Sequence, residues 1–232
     1  LPMLGMNVDT TDDWGRMYLF ADAMKQSRGW GSPTTPWDLA APLDANGWPT
    51  ADAGVVVLSN GAHIGGTYRL SFTGRATVAS LDPCGRVQNA VFEAATNATR
   101  ADLVVDSTGR QILLSFTGTS GGVRNVRLMR PGCTNETFAP DYLALIAPYA
   151  CLRLNSYAGT NGGWTSNRGL MVSHWADRTL PTHATQNRKF QGVRAGASWE
   201  HAIELANLTD KDLWVCVPDL ATDDYVRQLA TL

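Results

Sequence analysis

From Gly54 to Arg130 the sequence alternates apolar with polar residues in six short runs, GVVVLS, GTYRLSFTGRATVAS, VQNAVFEAA, ADLVVDS, RQILLSFTGTS and VRNVRLMR. A period of two places every second side chain on the same face of a strand, and the Gly, Asn and Asp residues between the runs mark turns. Six strands that each carry one apolar face need a second sheet to bury it. The spacing therefore predicts an antiparallel β-sandwich or jelly roll over residues 54–133.

The pattern changes after Pro131. APDYLALIAPY reads as a helix, CLRLN as a buried strand, SWEHAIELANLTD as a second helix, LWVCVP as a second buried strand, and the chain continues into a helix opened by Thr222 as N-cap with Asp223 and Asp224 in its first turn. Alternation of helix and strand is the mark of a parallel sheet, so residues 151–155 and 213–217 are expected to lie side by side, joined through the helix at 198–209. Two strands cannot close a barrel. Val215, Val217 and the apolar face of the last helix are therefore expected to be covered, either by the chain's own C-terminal continuation or by a neighbouring subunit.

Upstream, WGRMYLFADAMKQ places Trp14, Met17, Tyr18, Ala21 and Met24 on one helical face behind Thr11, Asp12 and Asp13, which predicts a helix over 14–26. A Gly/Pro/Trp-rich passage follows, reading as a segment that wraps an apolar surface with Trp30, Trp37 and Trp48 as anchors. The expected organisation is 1–53, an N-terminal helix and wrapping segment; 54–133, the sandwich; and 134–232, a partial barrel-like region.

A formal charge of −2 with 17% charged residues gives no basic stripe for nucleic acid, and no apolar run is long enough to span a bilayer. No Lys/Arg-led signal peptide opens the chain, so Leu1 reads as the start of a processed, secreted protein. Three sequons, at Asn97, Asn135 and Asn207, together with four cysteines fit an extracellular glycoprotein, the alternative being unmodified loop asparagines. Cys84 and Cys133, both in Gly/Pro-flanked loop settings, are expected to form a disulfide, while Cys151 and Cys216 sit in apolar runs where buried thiols are the alternative to a bridge.

The series FADAMKQSRGW, LDANGWPT, GTYRLSFTG, VRNVRLMRPG, CLRLNSYAGTN, WADRTLP and EHAIELANLTDKDLWVCVPDLATDDYVRQLA resembles a group of secreted proteins in which a β-sandwich precedes a (β/α)8 barrel similar to retaining glycoside hydrolases. The resemblance implies an α+β multidomain chain: an antiparallel β-sandwich followed by the first βα units of a (β/α)8-type barrel. The Asn-Glu acid/base pair and the nucleophile that it also implies have no counterpart here, because Asn135-Glu136 lies in a sequon and matches no barrel strand.

Barrel sites are assembled from loops at the carboxyl ends of strands. That singles out Asn155, Tyr157, Asn161 and Trp164 after the first strand, Trp175, Asp177 and Arg178 further along, and Asp219 after the second. The candidate ligand-binding set is Asn155, Trp164, Trp175, Asp177, Arg178 and Asp219, since an aromatic face covers the apolar side of a sugar while carboxylate and amide groups take its hydroxyls. The bland alternative for WADR is a loop clamp, and for Asp223 and Asp224 helix capping alone. Arg153, inside an apolar strand, needs a partner such as Glu204 or Asp177.

His63, His174, His183 and His201 form no HxH or HExxH pattern, and there is no GxSxG or phosphate-binding loop, so neither a metal nor a cofactor is expected and no catalytic residue is assigned. Two functions stand: a secreted carbohydrate-active or carbohydrate-binding glycoprotein, glycosidase-like at most, and a non-catalytic extracellular glycoprotein that serves a structural or cell-surface assembly.

Overall fold

A computed structural model of the chain describes residues 4–8, 11–160, 172–187 and 196–232. In chain order its elements are β1 (Gly5–Asn7), β2 (Trp30–Gly31), β3 (Ala53–Leu58), β4 (Gly66–Thr73), β5 (Thr77–Ser80), β6 (Gly85–Glu93), β7 (Ala98–Val105), β8 (Ile112–Thr117), β9 (Arg124–Met129), α1 (Pro140–Ile146), β10 (Cys151–Arg153), α2 (Trp199–Thr209), β11 (Asp212–Trp214) and α3 (Asp223–Leu229). They fall into two compact units, one of Asp13–Ala139 with His183–Thr185, the other of Leu1–Asp12, Pro140–Thr182 and Gln186–Leu232.

In the first unit two four-stranded sheets, ordered β2-β3-β8-β5 and β6-β7-β4-β9, are antiparallel throughout. β4 shows why the alternation matters: Tyr68, Leu70 and Phe72 are buried, while Thr67 and Arg69 on the alternate positions are exposed. Those side chains join Leu103, Val126 and Leu128 from their own sheet and Val55, Val57, Leu114 and Phe116 from the other in one shared core. Phe72 meets Phe116 edge-on at 5.4 Å, and Phe116 meets Trp30 at 5.4 Å, so a file of aromatic rings connects the two sheets. Trp48 extends the file at 6.4 Å from Trp30. Trp30 and Trp48 are thus core residues of this unit, whereas Trp37 is exposed.

The helix expected over 14–26 does not form. Only a 3-10 turn, Ala23–Gln26, is present, because the backbone around it bonds elsewhere: Ala21 N–H donates to the Thr137 carbonyl, and the Ala21 carbonyl accepts from Arg130 N–H. Asp22 is buried, and one of its carboxylate oxygens accepts from both Met24 N–H at 3.0 Å and Leu128 N–H at 2.8 Å. Those long-range bonds replace the i to i−4 ladder on which a helix depends. No disulfide joins Cys84 to Cys133 either. Cys133 packs beside Ala21 and Met129 at the end of β9, whereas Cys84 lies in the turn entering β6, where its carbonyl accepts from Asp106 N–H.

The second unit holds a parallel sheet ordered β1-β10-β11, with Leu152 opposite both Met6 and Leu213. β10 and β11 are adjacent and parallel, as the sequence pattern predicts, and α2 lies between them in the chain. Ser198 caps α2 by accepting from His201 N–H, and Asp210 ends it in the left-handed region at φ 52°. Thr222 caps α3 by accepting from Tyr225 N–H, and Trp199 Nε1 donates to Tyr225 Oη at 2.6 Å, joining α2 to α3.

The barrel-based fold class is corrected by this arrangement. The described chain is mostly β, with eleven strands in three sheets, two antiparallel and one parallel, and three short helices; no barrel is identified. Its parallel strands are three residues long, and the third member, β1, comes from before the first unit rather than from a further βα repeat, so the sheet stays open with β1 and β11 at its edges. Among the described residues no helix is long and apolar enough to cross a membrane.

Candidate functional site

The sequence-predicted residues lie in the second unit, and the structure brings only some of them together. Trp175 and Arg178 belong to one cluster: the Arg178 guanidinium lies over the Trp175 ring at 4.0 Å and pairs with Glu200 at 2.7 Å, and Trp175 meets Tyr225 edge-on at 5.2 Å. Asp177 contributes backbone only, its N–H donating to the His174 carbonyl. Asp219 is exposed, and its carboxylate makes no hydrogen bond or ion pair among the described residues. Asn155 accepts from Thr160 through its carbonyl, and Trp164 and Asn161 lie outside the described residues. This cluster is a clamp that fixes α2 and α3. Arg153 pairs with neither Glu204 nor Asp177; it reaches Asn7 Oδ1 at 3.3 Å and lies over the Trp214 ring at 5.1 Å.

Tyr157 is fully buried, its hydroxyl has no hydrogen-bond partner among the described residues, and desolvation pushes its pKa well above the ordinary phenol value. Ser198 and His201 are close as well, Oγ to Nδ1 at 3.0 Å, but both are buried and Gln186 accepts from Ser198 N–H at 2.8 Å, so the pair serves the helix cap.

The open site lies in the first unit, on the outer face of the β6-β7-β4-β9 sheet, where Arg69, Ser71, Val91, Arg100, Asp102 and Arg127 help to line a groove of about 760 Å³. Register fixes their arrangement. Val91, Arg100, Ser71 and Arg127 form one row across the four strands, and Asp102, Arg69 and Met129 form the next. Adjacent strands are about 4.8 Å apart, so Arg100 and Arg127 flank Ser71 at a backbone separation of about 10 Å.

β6 carries a register irregularity between Gln88 and Val91, with Asn89 at φ 55°, a conformation Asn tolerates better than most side chains. The irregularity aims the Asn89 amide at Asp102, to which it donates at 2.8 Å, and leaves Val91 65% exposed. Next to it in β6, Phe92 pairs with the buried Thr99 and has Arg75 over its ring at 5.7 Å. Asn135 of the second sequon lines the groove, and the carboxylate of neighbouring Glu136 accepts from the Thr134 hydroxyl.

The electrostatics are one-sided. Arg69 donates to the Cys133 carbonyl and Arg127 reaches the Met129 sulfur at 3.4 Å, while Arg100 has no hydrogen-bond partner among the described residues. None of the three forms an ion pair there, although Arg69 faces Asp102 in register. The carboxylates are engaged otherwise: Asp102 takes the Asn89 amide and Glu93 takes the Thr96 hydroxyl.

Alternation in GTYRLSFT, TRADLVV and VRNVRLM already puts Arg69, Ser71, Arg100, Asp102 and Arg127 on polar faces. Their convergence becomes visible only with strand order and register. No protein family, curated protein sequence or solved structure matches this chain.

Proposed function

We propose that this chain is a secreted carbohydrate-binding glycoprotein whose ligand lies in the groove on the outer face of the β6-β7-β4-β9 sheet. The observation that supports the reading is the pairing, in one open groove, of exposed apolar surface at Val91 with the Ser71 hydroxyl and three arginines without ion-pair partners among the described residues. Sugars ask for that mixture, an apolar surface for their C–H faces and fixed polar groups for their hydroxyls. Binding is favoured over hydrolysis because Glu93 and Asp102 are both committed to neighbouring side chains. Hydrolysis by a carboxylate pair requires one to act as acid and the other as base or nucleophile.

The protein expressed in a secretory host and applied to a glycan microarray tests the reading: retention on a defined glycan subset, lost on Ser71→Trp, is expected. Retention on no glycan at all removes it. Asn97, Asn135 and Asn207 are all exposed, and the same material, mapped by peptide mass before and after N-glycosidase treatment, is expected to show modification at one or more of them.

A second reading is favoured by the β11 edge, where Trp214, Val215, Val217 and Leu220 are all exposed. In the proposal this edge is covered by further chain or by a neighbouring subunit in an extracellular assembly, and cross-linking mass spectrometry from Lys211 identifies which.

A further inference from the structure

We infer that the groove reads an acidic sugar: its ligand is an oligosaccharide carrying uronate carboxylates, an inference that rests on the carbohydrate-binding reading above and deepens it. The row Val91-Arg100-Ser71-Arg127 runs across the sheet with a guanidinium on each side of a hydroxyl, and neither guanidinium forms an ion pair with a carboxylate among the described residues. Held by opposite strands of a hydrogen-bonded sheet, the two are positioned before any ligand arrives. A planar guanidinium fork matches a carboxylate in two parallel hydrogen bonds, which a spherical charge cannot reproduce.

The separation of about 10 Å between the arginine positions is close to the length of two sugar residues, so two carboxylates along one oligomer reach both forks. Ser71 then faces the hydroxyls of the intervening unit, and Val91, 65% exposed at one end of the row, covers an apolar sugar face. Asp102 sits one row away with its oxygen on the Asn89 amide, and opposes an anion placed over Arg69. That confines the anion to the Arg100-Arg127 row.

The test is calorimetric titration of the full chain with a galacturonate tetramer and with the same tetramer after reduction of its carboxyl groups to alcohols. Arg100→Gln and Arg127→Gln are compared with Arg227→Gln, a change outside the groove that leaves binding intact. The Arg100 guanidinium has no hydrogen-bond partner among the described residues, so its variant keeps the fold, which a thermal melt verifies. Expected is binding of the acidic tetramer, weakening by about tenfold or more on carboxyl reduction and by a similar factor in each groove variant, as for a lost charge-assisted hydrogen bond.

Equal affinity for acidic and reduced tetramers overturns the inference and leaves the carbohydrate reading in place. So does retention of neutral glycans on an array with no binding of the acidic tetramer. Polyphosphate binding as tightly as the tetramer overturns it too, because charge alone is then being read. Failure to bind any glycan overturns both.

Discussion

Replacing Asp22 separates what its carboxylate does as an acceptor from what it does as a charge. One oxygen holds two backbone donors, Met24 N–H and Leu128 N–H, at 3.0 and 2.8 Å, and Met24 and Leu128 are both fully buried. Asp22→Ala leaves both donors without a partner in a dry site. At about 1–3 kcal/mol for each orphaned donor, the loss is about 2–6 kcal/mol. Asp22→Asn keeps an acceptor oxygen in place, relieves the burial of a charge and gives up the smaller attraction of Lys25 and Arg127, so it costs less than half as much.

Urea titration followed by tryptophan fluorescence reports on the unit directly, because Trp30 and Trp48 lie in its core. A loss of about 3 kcal/mol lowers the midpoint by about 1–2 M. Burial raises the Asp22 pKa above 3.8, so between pH 3.8 and its folded value the native protein binds more protons than the unfolded chain. Stability contributed by this group is complete below that window and falls as pH rises through it. The Asn variant loses that slope. Equal destabilisation by Ala and Asn would refute the acceptor account and leave charge as the cause.

Other substitutions probe other parts. Asp13 is fully buried, 2.5 Å from Arg28 and 2.6 Å from the Ser59 hydroxyl, so Asp13→Ala strands a cation and is expected to cost about 3–5 kcal/mol in the same assay. Gly122 has φ +81°, and a Cβ there would stand 1.9 Å from the Pro49 carbonyl oxygen; Gly122→Ala is expected to abolish soluble expression, and a well-folded variant by circular dichroism contradicts the packing described. Arg178→Lys keeps the charge beside Glu200 but loses the planar stack on Trp175, so it is expected to cost about 1–2 kcal/mol, and full retention of stability shows the stack to be idle.

Strands were the legible part of this fold. Each alternating run contains one or two of them because burial of one face leaves a period of two in the sequence. The start of α3 was legible too, since Thr222 announces itself by local chemistry and does accept from the expected backbone N–H group. The segment 14–26 misleads for the same reason that it attracts: its apolar spacing fits a helix, but Asp22 and the Thr137 carbonyl, far apart in sequence, decide its path. β1 is short and reads GMN, with the Gly and Asn that strands usually lack, and nothing local marks it. The barrel expectation failed at that point, because a sheet partner came from upstream where a downstream repeat was expected.

At the candidate site, Trp175 and Arg178 were readable as neighbours in one motif, but Glu200 and Tyr225 join them only through tertiary structure. The groove was less legible still. Its arginines are single letters in three separate strands, and only the register of β4 against β7 and β9 sets Arg100 and Arg127 on either side of Ser71.

The pairing of Gly5 with Cys151 has a consequence for the order in which this protein is made. On a ribosome adding about 5–20 residues per second, β1 emerges roughly 7–30 s before the strand that it pairs with exists. During that interval Asp13–Ala139 is synthesised with every strand of its two antiparallel sheets, and only His183–Thr185 of that unit follow later. The sheet containing β1 must wait with its first strand unpaired, so the late step of maturation belongs to the unit whose chain is interrupted. A translational pause or a truncated message that ends before Cys151 therefore releases a molecule with a complete groove and no parallel sheet.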